Sequence, residues 1–210
     1  MEEDIIMFFT FALYNFLYRF FIVEKERNIK LMNESNKIKK LVKMGVLVAI
    51  SIVLVYLIRI PIFPSAPFLE YDPGAIPMLI ASFAFGPLSG LTVTVVTAVL
   101  QGVTVSAGSG PYGVIMNIMA SGTFVVVAGI IYKKNKTMKM AIVGLCCGIL
   151  AATLIMIPAN YIFTPLFLGA TTSAVTVMLP VIIGFNLIRT GINAAITFLL
   201  YKRVRKFLDS

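Results

Sequence analysis

The sequence contains no histidine, and only two of its 210 residues are cysteine. Without imidazole side chains the chain has no histidine general base, no histidine metal ligand and no Ser-His triad. Cys146 and Cys147 are adjacent in an apolar run. Neighbours on a helix point about 100° apart, so the two thiols cannot share a metal ion or an unstrained disulfide. We interpret them as small buried apolar residues.

Charge is also scarce. Charged residues make up 13% of the chain and hydrophobic residues 59%, whereas a soluble domain has about 25% charged residues. The net charge of +9 comes from short basic clusters between apolar runs, at residues 37–43, 133–139 and 202–206. This is the positive-inside pattern of a membrane protein rather than a nucleic-acid-binding face. We therefore predict an all-α integral membrane protein with no nucleic-acid partner.

Two further motifs are missing. There is no Gly-Lys phosphate-binding loop, so the chain does not itself hydrolyse ATP. The predicted spans hold no cluster of carboxylates, so a proton relay has no candidates either. The sequence also offers no plausible catalytic dyad, which argues against an intramembrane enzyme.

The apolar runs predict six membrane spans after Met32, packed as a six-transmembrane-helix bundle in the cell membrane. They cover residues 44–60, 75–85, 91–106, 114–132, 140–163 and 179–201. The connecting segments 62–74, 107–113 and 164–177 are predicted loops on the outer side. With six spans all three basic clusters fall on the other side, which predicts that both termini of this core are cytoplasmic.

A further apolar run, residues 5–23, precedes this core. It is long enough to be an extra N-terminal hydrophobic helix. Alternatively, residues 1–31 are an upstream extension before a natural start at Met32, which we favour. We divide the chain into this extension and a membrane domain, residues 32–210.

The last span carries a polar stripe. Five polar residues fall within roughly a 100° arc of the helix; they are Asn186, Arg189, Thr190, Asn193 and Thr197. An arginine within a spanning helix costs about 2.5–3.5 kcal/mol on insertion scales, so it normally faces a cavity or a partner. The stripe therefore predicts a buried polar site.

Other polar residues are expected at a similar depth. Asn117, Asn160, Asn186 and Arg189 fall toward the outer halves of their helices, below a loop that holds Glu70, Tyr71 and Asp72. Two alternatives to a ligand site stay open. In one, the amides only form hydrogen bonds between helices. In the other, Arg189 pairs with Glu70 or Asp72. If the residues do form a pocket, its amides and aromatic rings suit a neutral, polyhydroxylated or heteroaromatic solute.

Two smaller features are less specific. Thr94, Thr97, Gln101 and Thr104 share one side of the third span, where hydroxyls often bond to their own helix. Gly45 and Ala49 form a small-xxx-small pair on the first span, which suits either internal packing or the docking of a partner subunit.

Four segments together resemble a known family. They are EYDPGAIPMLIASFAFGPLSG (70–90), GPYGVIMNIMAS (110–121), IMIPANYIFTPLF (155–167) and FNLIRTGINAAI (185–196). In this order, with six spans, the chain from Met32 onwards is similar to the substrate-binding S components of energy-coupling factor (ECF) transporters, specifically the riboflavin-binding type.

The resemblance implies a membrane subunit, not an enzyme, that captures riboflavin at an outward-facing site. Riboflavin is then a transported ligand rather than a cofactor, and FMN is a related candidate because Arg189 could meet its phosphate. The implied partners are a transmembrane coupling subunit, two cytoplasmic ATPase subunits and membrane lipid.

The resemblance also implies roles for particular residues. It makes Asn160, Asn186 and Arg189 ligand contacts, with Asn117, Glu70, Tyr71, Asp72 and Tyr161 as further candidates. Arg189 stands where the family has lysine. Gly45 and Ala49 correspond to the family's docking motif for the coupling subunit. Asn193 and Thr197, which lie deeper, are interpreted as packing residues. The alternative function is a stand-alone secondary transporter or channel for another small solute.

Overall fold

The computed structural model describes residues 34–169 and 171–208, with side chains described up to residue 200. The chain divides into two compact units, Met1–Lys43 and Met44–Ser210. The predicted N-terminal extension, residues 1–31, lies outside the described residues, and its role stays a prediction.

The described chain folds into six α-helices. They are α1 (Glu34–Leu57), α2 (Ala75–Phe85), α3 (Pro87–Val103), α4 (Gly110–Lys134), α5 (Met138–Leu168) and α6 (Thr172–Leu208). Two short strands, β1 (Ile60–Pro61) and β2 (Glu70–Tyr71), pair antiparallel between α1 and α2. The prediction of an all-α, six-helix bundle is confirmed.

The helices differ in length. Within the described residues α1, α4, α5 and α6 are long and apolar enough to cross a membrane. The 11 residues of α2 extend only about 16 Å at 1.5 Å per residue, against a hydrocarbon core of about 30 Å. Nine of those residues are buried. Hence α2, whose predicted bounds were correct, is an interior helix surrounded by protein.

Glycines end two of the helices. Gly86 has φ 96° and ψ 164° and is the one residue between α2 and α3. Gly169 has φ 64° and ends α5. Side chains with a Cβ rarely adopt such angles, so both positions favour glycine. The turn at Gly86 lets α3 run back alongside α2, so that Gly74 before α2 lies beside Gln101 near the end of α3.

Two predicted loops are wrong. Most of the segment 164–177 is helical, because α5 continues through Pro165 to Leu168 and α6 begins at Thr172. The segment 107–113 holds a short 3-10 helix at Ala107–Ser109, after which α4 begins at Gly110. Proline is tolerated in the first turn of a helix, so Pro111 helps to start α4 rather than extending the loop.

The core centres on α2 and α4. Met78 and Leu79 of α2 and Phe124 and Val125 of α4 are all at most 1% exposed and belong to one apolar cluster. Burial of each large side chain contributes about 1.5–3 kcal/mol relative to exposure. This cluster holds α2 in the centre of the bundle.

Close contact between α4 and α5 depends on small residues. A Cβ at Gly144 would lie 2.7 Å from the Ala128 carbonyl oxygen, and one at Gly148 would lie 2.9 Å from the Phe124 carbonyl oxygen. Cys146 and Cys147 lie outside this contact and are exposed, so the expectation that they are buried is wrong. Lipid-facing and core positions accept the same apolar side chains, so composition could not separate the two.

Candidate functional site

A cavity of about 170 Å³ lies where α1, α3 and α5 end and α2 and α4 begin, and the first half of α6 completes its wall. The loop between β1 and α2 contributes to the same lining. The 25 residues of α4 extend about 37 Å from the cavity to Lys133 and Lys134. The cavity and the basic loop 133–139 are therefore at opposite ends of the bundle.

The structure brings most of the predicted site residues together. Six of the eight line the cavity: Glu70, Asp72, Asn117, Asn160, Asn186 and Arg189. Apolar and aromatic side chains complete the wall, among them Phe68, Tyr112, Met116, Met156, Phe167 and Phe185. This mixture of apolar surface with a few fixed polar groups is typical of a small-molecule site.

Arg189 joins α6 to the loop above it. Its side chain is buried, and Nη2 donates to Asp72 Oδ2 at 2.9 Å and to Asn117 Oδ1 at 3.3 Å. Asp72 Oδ1 accepts from the backbone N–H of Gly74 at 3.0 Å, which fixes the carboxylate at the start of α2. Of the two acidic residues predicted as partners for Arg189, Asp72 is the one that pairs with it.

Glu70 pairs with a different arginine. Its carboxylate accepts from Arg59 Nη2, and Arg59 Nη1 donates to the Val105 carbonyl oxygen at 2.6 Å. The two charged side chains are 29% and 34% exposed, so this pair is partly solvated. Through Arg59, Glu70 of β2 is thus connected to Val105, which follows α3 beside the cavity.

Asn117 is the centre of an amide network. Its Oδ1 accepts from Ser121 Oγ at 2.9 Å as well as from Arg189, and its Nδ2 donates to Gln101 Oε1 at 2.7 Å. Gln101, 4% exposed, also lines the cavity. From the sequence, Gln101 is predicted only as a member of a polar stripe with three threonines, Thr94, Thr97 and Thr104. Its amide group in an apolar span, like those of the asparagines, was the signal that could have identified it.

Asn160 and Asn186 are held by their own helices. Asn160 Nδ2 donates to the Met156 carbonyl oxygen at 2.7 Å, and Asn186 Nδ2 donates to the Ile182 carbonyl oxygen at 2.8 Å. Asn160 Oδ1 accepts from Thr164 Oγ1 at 2.8 Å. Each of these bonds stays within one helix, so they do not join Asn160 or Asn186 to a neighbouring helix. They fix the orientation of the two amide groups in the cavity wall.

Tyr71 and Tyr161 do not line the cavity, and their contact with a ligand stays a prediction. Tyr71 Oη donates to Asn193 Oδ1 at 3.2 Å, below the site. Burial, with the nearby Asp72 carboxylate, raises the pKa of the Tyr71 hydroxyl, so it remains protonated and can donate. Tyr161 Oη lies 3.1 Å from Thr176 Oγ1, between α5 and the start of α6.

The deeper part of the polar stripe has structural contacts. Asn193 Nδ2 donates to the Asp72 carbonyl oxygen at 3.1 Å, and Thr197 Oγ1 donates to the Asn193 carbonyl oxygen at 2.7 Å. Similarly, Thr94 and Thr104 of the third-span stripe donate to carbonyl oxygens four residues earlier, Gly90 and Leu100. The hydrogen bonds of Thr197, Thr94 and Thr104 each stay within one helix, so these hydroxyl groups are satisfied without a ligand.

Gly45 and Ala49 lie on the outside of the unit formed by residues 44–210. Both residues are exposed. A Cβ added at Gly45 would meet no other described atom within 4 Å. The pair is thus not used for packing between the described helices.

The comparisons with known proteins agree with this architecture. Residues 39–201 match the family described as "ECF transporter, substrate-specific component". The riboflavin transporter RibU of Staphylococcus aureus is 31% identical, over 81% of this chain and 92% of that protein. The riboflavin transporter FmnP of Bacillus subtilis is 30% identical, over 82% of this chain and 95% of that protein.

A solved structure has the same fold. The S component of a bacterial ECF transporter superposes with a TM-score of 0.74 and 30% identity, over 83% of this chain and 99% of that chain. The six helices and the cavity define a membrane protein with a small-molecule site. Together with the family match, they show that the chain belongs to the substrate-specific components of ECF transporters. It is a multi-pass membrane protein of a transport system and not an enzyme.

Proposed function

We propose that this chain is the riboflavin-binding S component of an ECF importer, with the cavity as its substrate site. The observation that carries the proposal is the lining: orientated amides of Gln101, Asn117, Asn160 and Asn186 beside a largely apolar and aromatic wall. Riboflavin has the same two parts, a flat heteroaromatic ring and a polyhydroxylated chain. The names of the two relatives support the same ligand.

The charges of the cavity favour a neutral ligand. Its lining includes two arginines and two carboxylates, and each arginine is paired with one acid, Arg59 with Glu70 and Arg189 with Asp72. A phosphate would have to compete with these carboxylates for the guanidinium groups. Riboflavin, which carries no phosphate, is therefore preferred to FMN.

The ligand enters from the outer face and the partners act from within the membrane and the cytoplasm. Support comes from the basic loop 133–139, which the positive-inside rule assigns to the cytoplasm, at the end of the bundle opposite the cavity. The exposed pair Gly45 and Ala49 offers a surface where a helix of the coupling subunit can approach closely. Two cytoplasmic ATPase subunits supply the energy, since this chain has no phosphate-binding loop of its own.

Flavin titration tests the proposal directly. The protein is purified in detergent, its visible spectrum is recorded, and riboflavin and FMN are titrated while flavin fluorescence is followed. We expect the fluorescence of riboflavin to be quenched when it binds the protein, with a stoichiometric end point. FMN should bind more weakly. Absence of both flavin absorbance and quenching would show that the cavity serves another solute.

A further inference from the structure

Ser51 of α1 makes a hydrogen bond that differs from those of the threonines described above. Thr94 and Thr197 donate to carbonyl oxygens of their own helices. Ser51 Oγ donates instead to the Gly74 carbonyl oxygen at 2.6 Å, across to the start of α2. Ser51 is 0% exposed, so solvent does not compete for this bond. The bond therefore fixes the position of Gly74 relative to α1.

Val55, one turn further along α1, packs against the same glycine. A Cβ at Gly74 would lie 2.7 Å from Val55 Cγ2, against about 3.5–4.0 Å for carbon atoms in contact. Val55 is 2% exposed and lines the cavity. Hence α1 lies directly against the backbone of Gly74, next to the cavity.

Hydrogen bonds lead from Gly74 to the wall of the cavity. The Gly74 N–H donates to Asp72 Oδ1 at 3.0 Å, and Asp72 Oδ2 accepts from Arg189 Nη2 at 2.9 Å. Arg189 lines the cavity, whereas Ser51 does not. A displacement of Gly74 would shift the Asp72 carboxylate, and with it the guanidinium group that this carboxylate holds.

We propose that Ser51 is a positioning residue for riboflavin binding, which acts through Gly74 and Asp72 to orient the Arg189 guanidinium in the cavity wall. The inference rests on the proposed riboflavin function and adds to it a residue outside the cavity. A guanidinium group is planar with fixed donor directions, so its partners must be placed accurately. An ammonium group on a flexible stem can follow a displaced carboxylate. The need for Ser51 is therefore tied to arginine at position 189.

The test is a double-mutant cycle in the intact protein. The Kd of riboflavin is measured by fluorescence quenching for the wild type, Ser51→Ala, Arg189→Lys and the double variant. We expect Ser51→Ala to weaken binding roughly threefold to tenfold, as for the loss of one hydrogen bond. In the Arg189→Lys background the same change should weaken binding less than about twofold. A purely structural role of Ser51 would give equal factors in the two backgrounds.

Ser82 provides a matched control. Its hydroxyl is also buried and donates to another helix, to the Val125 carbonyl oxygen at 2.9 Å. Ser82 lies outside the cavity lining, toward the other end of α2. Ser82→Ala should lower the melting temperature of the ligand-free protein about as much as Ser51→Ala, but it should change the Kd less than about twofold. If Ser51→Ala does not melt cooperatively, Ser51→Cys, whose thiol is only a weak donor, takes its place in the cycle.

The possible failures are distinct. If the wild type does not bind riboflavin, the proposed function itself is wrong. If the wild type binds riboflavin and Ser51→Ala binds it as tightly, only the positioning role of Ser51 is overturned. If Ser51→Ala weakens binding by the same factor in both backgrounds, or no more than Ser82→Ala does, Ser51 supports the fold and not the guanidinium group. That result overturns the inference as well.

Discussion

Arg189 Nη2 lies 2.9 Å from Asp72 Oδ2, a contact between residues 117 positions apart in the chain. The two side chains are only 10% and 15% exposed. Asp72 belongs to the loop that precedes α2, and Arg189 lies on α6, so this pair ties the loop to the far wall of the cavity. It also neutralises the arginine that a spanning helix could otherwise not easily accommodate.

Breaking this pair should destabilise the protein. Asp72→Asn leaves the buried guanidinium without its counter-charge, and removing one partner of a buried pair costs roughly 3–5 kcal/mol. We expect a clear fall in the melting temperature of the ligand-free protein in detergent. Weaker riboflavin binding should follow, because Arg189 is then no longer held in place.

A double variant separates charge from packing. Asp72→Asn combined with Arg189→Gln removes both charges, so the melting temperature should recover part of the loss seen for Asp72→Asn alone. Losses that simply add would mean that the two side chains contribute independently, contrary to the contact in the structure. Glu70→Gln serves as a comparison: its pair with Arg59 is partly solvated, so its effect should be below about 1 kcal/mol.

Thr97→Val should stabilise the protein. The hydroxyl of Thr97 is 0% exposed and has no hydrogen-bond partner within the described residues. Replacing it with a methyl group of the same shape removes the cost of burying an unsatisfied polar group, about 1 kcal/mol or more. The melting temperature should rise by several degrees. Thr94→Val is the matched control: Thr94 Oγ1 donates to Gly90 O at 2.9 Å, so its loss should bring no such gain.

Much of the site was predictable from polarity alone. In an apolar chain each buried amide or charge needs a partner, so Asn117, Asn160, Asn186 and Arg189 identified the same region from the sequence. All four line the cavity. Which acid pairs with Arg189 was not predictable, because Glu70 and Asp72 are two residues apart. Glu70 lies in β2, whereas Asp72 follows that strand and its carboxylate accepts from the Gly74 N–H just before α2.

The error at segment 164–177 lies in where two helices end and begin. α5 ends at Gly169, which has a positive φ, and not at a proline. Pro158, Pro165 and Pro180 all lie within helices. A spanning helix tolerates proline because neighbouring groups satisfy the freed carbonyl. Pro165 and Pro180 thus do not interrupt α5 and α6, the helices that cover most of the segment 164–177.

The contact between α4 and α5 should be sensitive to a single methyl group. A Cβ at Gly144 would lie 2.7 Å from the Ala128 carbonyl oxygen, too close for the two helices to keep their separation. We expect Gly144→Ala to lower stability by about 1–3 kcal/mol, the usual effect of overpacking, as measured by thermal melting. Gly191→Ala on α6 is the control, because no described atom lies within 4 Å of its added Cβ. Equal melting temperatures for the two variants would contradict the packing.

Substitutions at Gly45 and Ala49 of α1 should affect the docking of the coupling subunit without affecting the binding of riboflavin. Gly45 and Ala49 are exposed and lie outside the cavity lining. Changing both to leucine should leave the riboflavin Kd within about twofold, because the site is untouched. The same change should abolish uptake by vesicles that contain the whole transporter, since bulky side chains prevent the close approach of another helix. Kd is measured in detergent and uptake with radiolabelled riboflavin and internal ATP.

A matched pair of leucines elsewhere on the exposed surface makes this result specific. Val46 and Ile50, which are 53% and 44% exposed, neighbour Gly45 and Ala49 on the same helix. Changing both to leucine alters the exposed surface but adds no side-chain bulk at Gly45 and Ala49, so uptake should persist. Uptake that survives leucine at Gly45 and Ala49, or that needs no ATPase subunits, would instead indicate a stand-alone transporter. If leucine at Gly45 and Ala49 instead abolished riboflavin binding, this face of α1 would shape the cavity and not a docking surface.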